Sequence, residues 1–273
     1  MRWSWGRSAA YAPAVQEESL DRRARKKAQT RREVKEAAQR LFAERGFEAV
    51  TIADVADEAD VAVQTVFNHF CTKEELYFAD RTPWVDGPAR AVAGRRPGTG
   101  AVATVQSWMA HQVMAYPAMI GWADRRQYVD VLQASASLRV HERELLRRCE
   151  HQLSRALHAT WTQQLEGDVP NLRLPADLIS GVLVAAGRVM VVEQRRLAMG
   201  PEPSLTRRAE VDGLTLGAIE AIGLGIQRVA ARPDAPLALQ LVAGLEKDAP
   251  PDEDVAAQFV PGHDGHDGGA GAA

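Results

Sequence analysis

Two short apolar stripes separated by a tight turn stand out in residues 47–76. The first has the i, i+3, i+4, i+7 spacing of one helical face, with Thr51 before it as N-cap, and consists of Ile52, Val55, Ala56 and Ala59. The second, interpreted as core packing, consists of Val63, Val66, Phe67 and Phe70. Only Asp60 and Val61 remain to turn the chain. The pattern predicts two helices that cross steeply and share one small core.

The other face of the second predicted helix carries hydrogen-bonding side chains and no carboxylate: Gln64, Thr65, Asn68 and His69. Such side chains suit base edges and phosphates in a DNA groove. On an arbitrary helix they would indicate a solvated surface, but the paired helices favour a recognition helix. The stretch is therefore interpreted as a helix-turn-helix.

A third amphipathic helix is predicted upstream, over residues 31–45, and Gly46 suits its C-terminus. Its apolar face is formed by Val34, Ala37, Ala38, Leu41 and Phe42. A cationic run overlaps its start and contains only Glu33 as an opposing charge: Arg22, Arg23, Arg25, Lys26, Lys27, Arg31, Arg32 and Lys35. Two interpretations stay open for this run, a DNA-contacting arm and a solvated leader.

The rest of the chain divides by composition. We expect a disordered tail at 1–20, the helix-turn-helix domain at 21–81 with a capping box at Thr72 and Glu75, and a linker or helix extension at 82–100. Helices are predicted over 101–116, 119–136, 139–166, 175–199 and 204–231, which make a bundle at 101–232. Residues 233–273 are expected to be mostly disordered, because the segment from Lys247 is too poor in apolar residues to form a core. The predicted fold class is all-α.

Bulk properties narrow the class of protein further. The chain has 273 residues and a net charge of −3, but its positive residues gather near the N-terminus, so the local field there is cationic. Two cysteines, Cys71 and Cys149, argue against a disulfide scaffold. The most apolar stretch, Leu178 to Val192, is interrupted by Arg188, and residues 1–15 lack the apolar region of a signal peptide. We therefore expect a cytoplasmic protein without a membrane partner.

One helical face of the predicted helix 139–166 raises the question of a metal site. It carries His141, Glu144, Arg148, His151, Arg155 and His158. The interposed arginines favour a salt-bridged exposed face over a metal site, and no Glu-x-x-His pair indicates a di-iron bundle. No metal and no cofactor is predicted.

Taken together, the run AAQRLFAERGFEAVTIADVADEADVAVQTVFNHFCTKEEL resembles the tetracycline-repressor (TetR) family of bacterial transcriptional regulators. The resemblance implies an N-terminal three-helix DNA-binding domain and a C-terminal helical bundle for ligand binding and dimerisation. It places the recognition helix at Ala62 through Phe70, with contacts from Gln64, Thr65, Asn68 and His69, while Thr51 and Lys73 flank the groove and hold phosphates. The DNA-binding set is thus Thr51, Ala62, Val63, Gln64, Thr65, Phe67, Asn68, His69 and Lys73.

This chain departs from the family pattern at three positions. Ala62 stands where a Ser or Thr cap is usual, so about 1 kcal/mol of helix stability is expected to be missing. Asp60 occupies a turn position often filled by Gly and adds a negative charge near DNA. Phe67 replaces a common Tyr and removes a hydroxyl donor. The cationic arm should carry correspondingly more of the binding.

The resemblance also implies an inducer pocket in the second domain. Core packing is the default interpretation of its large side chains, but aromatic and methionine side chains suit a small apolar or aromatic ligand: Trp108, Met109, Met114, Trp122, Tyr128 and Trp161. Dimer-interface candidates, for which internal packing is the alternative, lie on the helices at 175–199 and 204–231: Val182, Ala186, Val189, Gly213, Gly217 and Ala221.

The sequence is accordingly interpreted as a homodimeric, sequence-specific transcriptional regulator, a repressor released by ligand from a near-palindromic double-stranded operator. Two other classes of protein remain as alternatives. One is an all-helical enzyme with an appended DNA-binding module, using the His141 to His158 face. The other is a nonspecific, architectural DNA or membrane-surface binder driven by residues 22–35.

Overall fold

The computed structural model describes the backbone of residues 12–119, 122–165, 169–201 and 204–258. It is 77% helix and has no strand in these ranges, which confirms the all-α fold class. The chain forms two compact units, Met1–Ala79 and Asp80–Ala273. Unit 1 contains α1 (Ala12–Arg45), α2 (Ile52–Glu58), α3 (Val63–His69) and α4 (Lys73–Phe78). Unit 2 contains α5 (Gly87–Gly94), α6 (Ala101–Met119), α7 (Trp122–Ala134), α8 (Ala136–Gln164), α9 (Arg173–Met199), α10 (Leu205–Ala230), α11 (Leu237–Glu246) and α12 (Glu253–Gln258).

Helix α1 starts much earlier than the helix predicted at residues 31–45. It begins at Ala12, inside the predicted disordered tail, and the remainder of that tail, residues 1–11, lies outside the described residues. Two properties of the segment explain the longer helix. Pro13 occupies the first turn, where a missing N–H costs nothing, and the following residues are mostly strong helix formers.

A helix also forms inside the predicted linker 82–100. Helix α5 carries Pro88 in its first turn, and its Ala91 and Val92 are buried against α6 and α8. Gly87 allows the closest approach, because a Cβ built there would lie 2.2 Å from Cζ2 of Trp108. Gly87 and Pro88, which indicated a linker, thus begin a helix, and the missing side chain of Gly87 leaves space for the Trp108 ring.

Residues 233–258 were wrongly expected to be disordered. Helix α11 buries Ala238, Leu239, Val242 and Ala243 as one apolar face, and Val255 of α12 joins the main core. Residues 259–273 of the same predicted tail lie outside the part of the chain that the structure describes.

Two carboxylates hold this C-terminal segment to the start of α6 and to the loop that precedes it. Glu246 accepts hydrogen bonds from the N–H groups of Ala101 (3.2 Å) and Val102 (3.0 Å) and from Nε1 of Trp161 (2.8 Å). Asp252, fully buried, accepts from the backbone N–H of Arg96 at 2.7 Å. The Glu246 carboxylate thus satisfies N–H groups at the N-terminus of α6 that have no partner within the helix. Burial nevertheless raises the pKa of Glu246, against the opposing effect of these donors.

The five predicted bundle helices correspond to α6 to α10, with one clear difference. Pro117 does not end α6, which continues to Met119. The core of unit 2 is formed mainly by α5, α6, α8 and α9, with Trp108, Leu157, Trp161, Ile179 and Leu183 all buried. One face of α9 and α10 remains outside this core.

Candidate nucleic-acid interface

Helices α2 and α3 are joined by a tight turn with a left-handed residue. Val55 and Ala56 of α2 and Val66 of α3 are buried, as the apolar stripes predict. The N–H of Val61 donates to the carbonyl of Ala56 (2.9 Å) and that of Asp60 to the carbonyl of Asp57 (3.2 Å), the two hydrogen bonds of a Schellman C-cap. Asp60 has φ +50°, so it occupies the position where this motif favours Gly.

The buried face of α3 differs from the predicted one. Val66 and Phe70 are buried as expected, but Val63 is 41% exposed and Phe67 is 45% exposed. Thr65 and His69, expected to face outward, are half-buried. Because α3 packs against both α1 and α2, its buried side is turned toward Thr65 and His69. The interpretation of Val63 and Phe67 as core residues is therefore wrong.

The surface that α3 presents combines two amides with two apolar side chains. Gln64 and Asn68 are exposed one turn apart, and Nε2 of Gln64 donates to Oδ1 of Asn68 at 3.3 Å. Amides of this kind pair with the N6 and N7 edge of adenine, and exposed apolar side chains suit the methyl group of thymine. This face of α3, defined by Val63, Gln64, Phe67 and Asn68, is called the reading face below.

Thr51 and Thr72 cap helices α2 and α4, as the sequence predicts, but the acidic partner in the second cap bonds a different N–H group. Thr51 caps α2, its Oγ1 accepting from the N–H of Asp54 at 3.1 Å, while Asp54 accepts in return from the N–H of Thr51 at 2.7 Å. The Thr51 hydroxyl, which donates to the Asp54 carboxylate at 2.6 Å, and the Thr51 N–H both lower the pKa of Asp54. Thr72 caps α4, but Glu75 reaches the N–H of Cys71 rather than that of Thr72. The Thr51 hydroxyl is thus already part of a cap.

Ala62 is the N-cap of α3 and supplies no side-chain hydrogen bond. We expect Ala62→Thr to protect the α3 amides more strongly than Ala62→Val, by about 1 kcal/mol in opening free energy. The two side chains have the same shape, and only the hydroxyl accepts a hydrogen bond from an α3 N–H. Hydrogen exchange of residues 63–70, measured by mass spectrometry, reports this difference. Equal protection in the two variants would contradict the missing-cap interpretation.

Lys73 holds the turn before α2 rather than extending from the surface. Its Nζ donates to the carbonyls of Phe47 (2.9 Å) and Val50 (3.0 Å) and lies 4.2 Å from the Phe47 ring centroid. Two of its three N–H groups are thus used inside unit 1. The primary effect of this lysine is to fix the segment that presents Thr51, and the phosphate contact implied by the family resemblance stays a prediction.

Arg31 connects α1 to the end of α3, a role that the sequence analysis missed. Its guanidinium donates to the carbonyl of His69 at 2.8 Å and lies 4.1 Å from the centroid of the Phe70 ring. Partial burial lowers the pKa of His69, and the positive charges of Lys27 and Arg31 add to that effect. The imidazole is therefore mainly neutral at pH 7. The position of Arg31, three residues before Val34 on one helical face, was the available signal.

Three of the candidate ligand residues of unit 2 are core residues, and a fourth is half-buried outside the core cluster. Trp108, Met109 and Trp161 are buried in one apolar cluster, and Tyr128 is half-buried beneath the guanidinium of Arg81, 4.9 Å from its ring centroid. The side chains of Met114 and Trp122 lie outside the described set. An open cleft occurs elsewhere, along α8 and the start of α9, lined by Ser154, Arg155, Ala156, His158, Ala159 and Arg173.

The candidate dimer residues lie mostly on an exposed apolar surface. Val182 and Val189 of α9 are 47% and 53% exposed, and neighbouring Leu174 and Leu178 extend the same stripe. On α10, the candidates Gly213, Gly217 and Ala221 are exposed, and a Cβ at either glycine would meet no atom within 4 Å. Internal packing therefore does not explain these residues, except for Ala186, which packs partly on the core.

Two further sequence expectations concern α8 and α9. Glu144 forms a salt bridge at 2.8 Å on the exposed surface of α8, but with Arg147, which was not among the residues of the predicted salt-bridged face. Arg173–Leu197 of α9 is long and apolar enough to cross a membrane by length and composition, with 28% of its most apolar window buried. One such helix is weak evidence for a span, because bundle helices have the same properties.

Sequence comparisons relate part of this chain to bacterial transcriptional regulators. Residues 35–79 match the sequence model of the family described as "Bacterial regulatory proteins, tetR family". The chain is also 40% identical over 57 residues to the HTH-type transcriptional repressor KstR2 of Mycobacterium tuberculosis. That match covers 21% of this chain and 28% of the relative's length.

Solved structures matched to this chain include GusR of Salmonella enterica and RolR in complex with resorcinol. GusR is 19% identical, with a TM-score of 0.36 over 70% of this chain and 95% of its own. RolR is 20% identical, with a TM-score of 0.31 over 81% of this chain and 96% of its own.

Proposed function

We propose that this chain is a sequence-specific DNA-binding repressor of the TetR family of bacterial regulatory proteins, whose sequence model matches residues 35–79. The observation that carries this proposal is the reading face of α3. Two amides and two apolar side chains are exposed there, while Val66 and Phe70 fix the helix to a buried core. A short rigid helix with such a face is suited to reading base edges in the major groove.

The proposed active form is a homodimer in the cytoplasm. Two copies of α3 about 34 Å apart would read two successive major grooves of a near-palindromic operator. The exposed stripe on α9 and the small-residue face of α10 support self-association, because an apolar surface of this extent is costly to leave in water. A twofold interface would cover both stripes at once.

We expect the double change Val182→Glu and Val189→Glu to convert the dimer to a monomer. Both side chains are about half exposed in the single chain, so glutamate charges there cost little free energy in the monomer. In a dimer the same charges would be buried without a partner, which is strongly unfavourable. Val140→Glu, at a 56% exposed valine on α8, is the matched control. Light scattering after gel filtration measures the mass. A double variant that remains dimeric would place the interface elsewhere.

A small apolar or aromatic ligand is the proposed effector. Nε1 of Trp108 is buried and has no acceptor among the described residues. A buried N–H without an acceptor costs about 1–3 kcal/mol, so a ligand that places an oxygen there would be favoured. It would release DNA only by binding the DNA-incompetent state more tightly than the competent one.

Selection from a random duplex library tests the DNA-binding function. The full chain should enrich an inverted repeat, and it should bind that selected duplex far more tightly than a scrambled duplex of equal length. Gln64→Ala and Thr65→Ala should lower the ratio of the two affinities, because both residues lie on or beside the reading face. Enrichment of no sequence, with equal affinity for both duplexes, would replace this proposal by nonspecific binding.

A further inference from the structure

The side of α1 that faces the core changes from cationic to apolar at Arg31. From Val34 onward this side is apolar and buried, as at Ala38 and Leu41. Upstream, at the four-residue spacing of one helical face, it carries Arg31, Lys27 and Arg23. Residues 22–29 are all exposed in the helix. The side that packs on the helix-turn-helix therefore continues beyond it as a cationic stripe.

Arg31 fixes this stripe relative to the recognition helix. Its hydrogen bond to the His69 carbonyl and its stacking on Phe70 join α1 to the C-terminal end of α3. The charge of Lys27, one turn before Arg31, acts on the imidazole of His69. The stripe thus passes the end of α3 on the same unit and does not point away as an unattached leader.

We propose that Arg23 and Lys27 bind phosphates of double-stranded DNA beside the stretch that α3 reads, which makes the N-terminal half of α1 a second DNA contact. This inference rests on the proposed DNA-binding function. Residues four apart on a helix are separated by about 6 Å along its axis, and one DNA strand presents a charge about every 3.4 Å of axis. The two side chains can therefore reach different phosphates of one strand.

Double-stranded DNA suits this stripe better than a membrane surface. An interfacial helix needs a bulky apolar face opposite its charges. Residues 22–32 contain no apolar side chain larger than alanine, at Ala24 and Ala28. The segment has charge to neutralise phosphates and nothing to insert among acyl chains.

A double variant of the full chain, Arg23→Gln with Lys27→Gln, tests the contact. The control, Arg22→Gln with Lys26→Gln, removes the same two side-chain types from positions turned by about 100° around the helix. Affinity for the duplex selected by the wild-type chain, and for a scrambled duplex, is measured by fluorescence anisotropy between 50 and 300 mM salt. The same proteins are sedimented with vesicles of phosphatidylserine and phosphatidylcholine, and circular dichroism checks their helix content.

The double variant should weaken binding to both duplexes, leave their affinity ratio unchanged, and reduce the salt slope by about 1.8 per chain relative to wild type. The control should change the slope less. Equal slopes for the double variant and its control would overturn the inference, as would loss of vesicle binding without loss of duplex binding. A wild-type chain that does not discriminate the two duplexes contradicts the proposed function instead, while the slope comparison still decides the role of Arg23 and Lys27.

Discussion

Gln64→Glu should abolish specific DNA binding, with a loss of affinity for the selected duplex of about 100-fold or more. The substitution keeps the shape of the side chain and adds one negative charge to the exposed face of α3. In the complex that charge would face base-edge acceptors and phosphates, and a dimer would carry it twice. Fluorescence anisotropy with the selected duplex measures the loss.

Gln163→Glu on α8 is the matched control, because it makes the same substitution at another exposed helical glutamine. It changes the net charge equally but lies in unit 2, so a general electrostatic effect on DNA binding appears in both variants. We expect the control to retain nearly full affinity. Equal losses in the two variants would mean that net charge, and not the reading face, governs the interaction. Unchanged thermal unfolding would show that Gln64→Glu acts on binding alone.

The helix-turn-helix could be predicted because its determinants are local. The i, i+3, i+4 stripes, the Thr51 cap and the short turn at Asp60 act within a few residues of one another. Each is visible in the sequence without knowledge of distant partners. The structure accordingly places α2 and α3 within one or two residues of their predicted bounds.

The rotation of α3 could not be predicted from its own stripe. Val63, Val66, Phe67 and Phe70 are all apolar, and contacts with α1 and α2 decide which of them are buried. The contact from Arg31 to the His69 carbonyl spans 38 residues of sequence. Lys73 illustrates the same point, because its acceptors at Phe47 and Val50 lie 26 and 23 residues away. Long-range polar partners of this kind leave no periodic signal.

The average composition of the C-terminal segment does not reveal that residues 233–258 are helical and packed. Glycine, proline and alanine dominate the end of the chain, yet Val242 and Val255 are buried and Asp252 is fully enclosed. Glu246 and Asp252 stabilise the segment by accepting hydrogen bonds from the backbone N–H groups of residues 101, 102 and 96, about 150 residues earlier in the chain. A low-complexity composition excludes a core of its own, but it does not exclude docking onto a core formed by other helices.

The largest expected effect on stability is that of Gly87→Ala, which should lower the free energy of unfolding of unit 2 by about 3 kcal/mol. A Cβ there would lie 2.2 Å from Cζ2 and 2.8 Å from Cε2 of Trp108, well inside van der Waals contact. Trp108 is 2% exposed and packed in the main core, so neither the indole nor α5 can move without opening other contacts. Urea denaturation followed by tryptophan fluorescence measures the change.

Gly94→Ala provides the comparison within the same helix. Its Cβ would have Val255 Cγ1 as nearest neighbour at 3.8 Å, an ordinary contact, so the gain in helix propensity should stabilise the protein by up to about 1 kcal/mol. We thus expect Gly→Ala to lower the free energy of unfolding at position 87 and to raise it at position 94. Because the smaller ring of Trp108→Phe leaves room for the added methyl group, combining it with Gly87→Ala should cost less than the sum of the single changes. Additive losses, or equal stability of the two alanine variants, would show that the indole does not determine the choice of glycine at position 87.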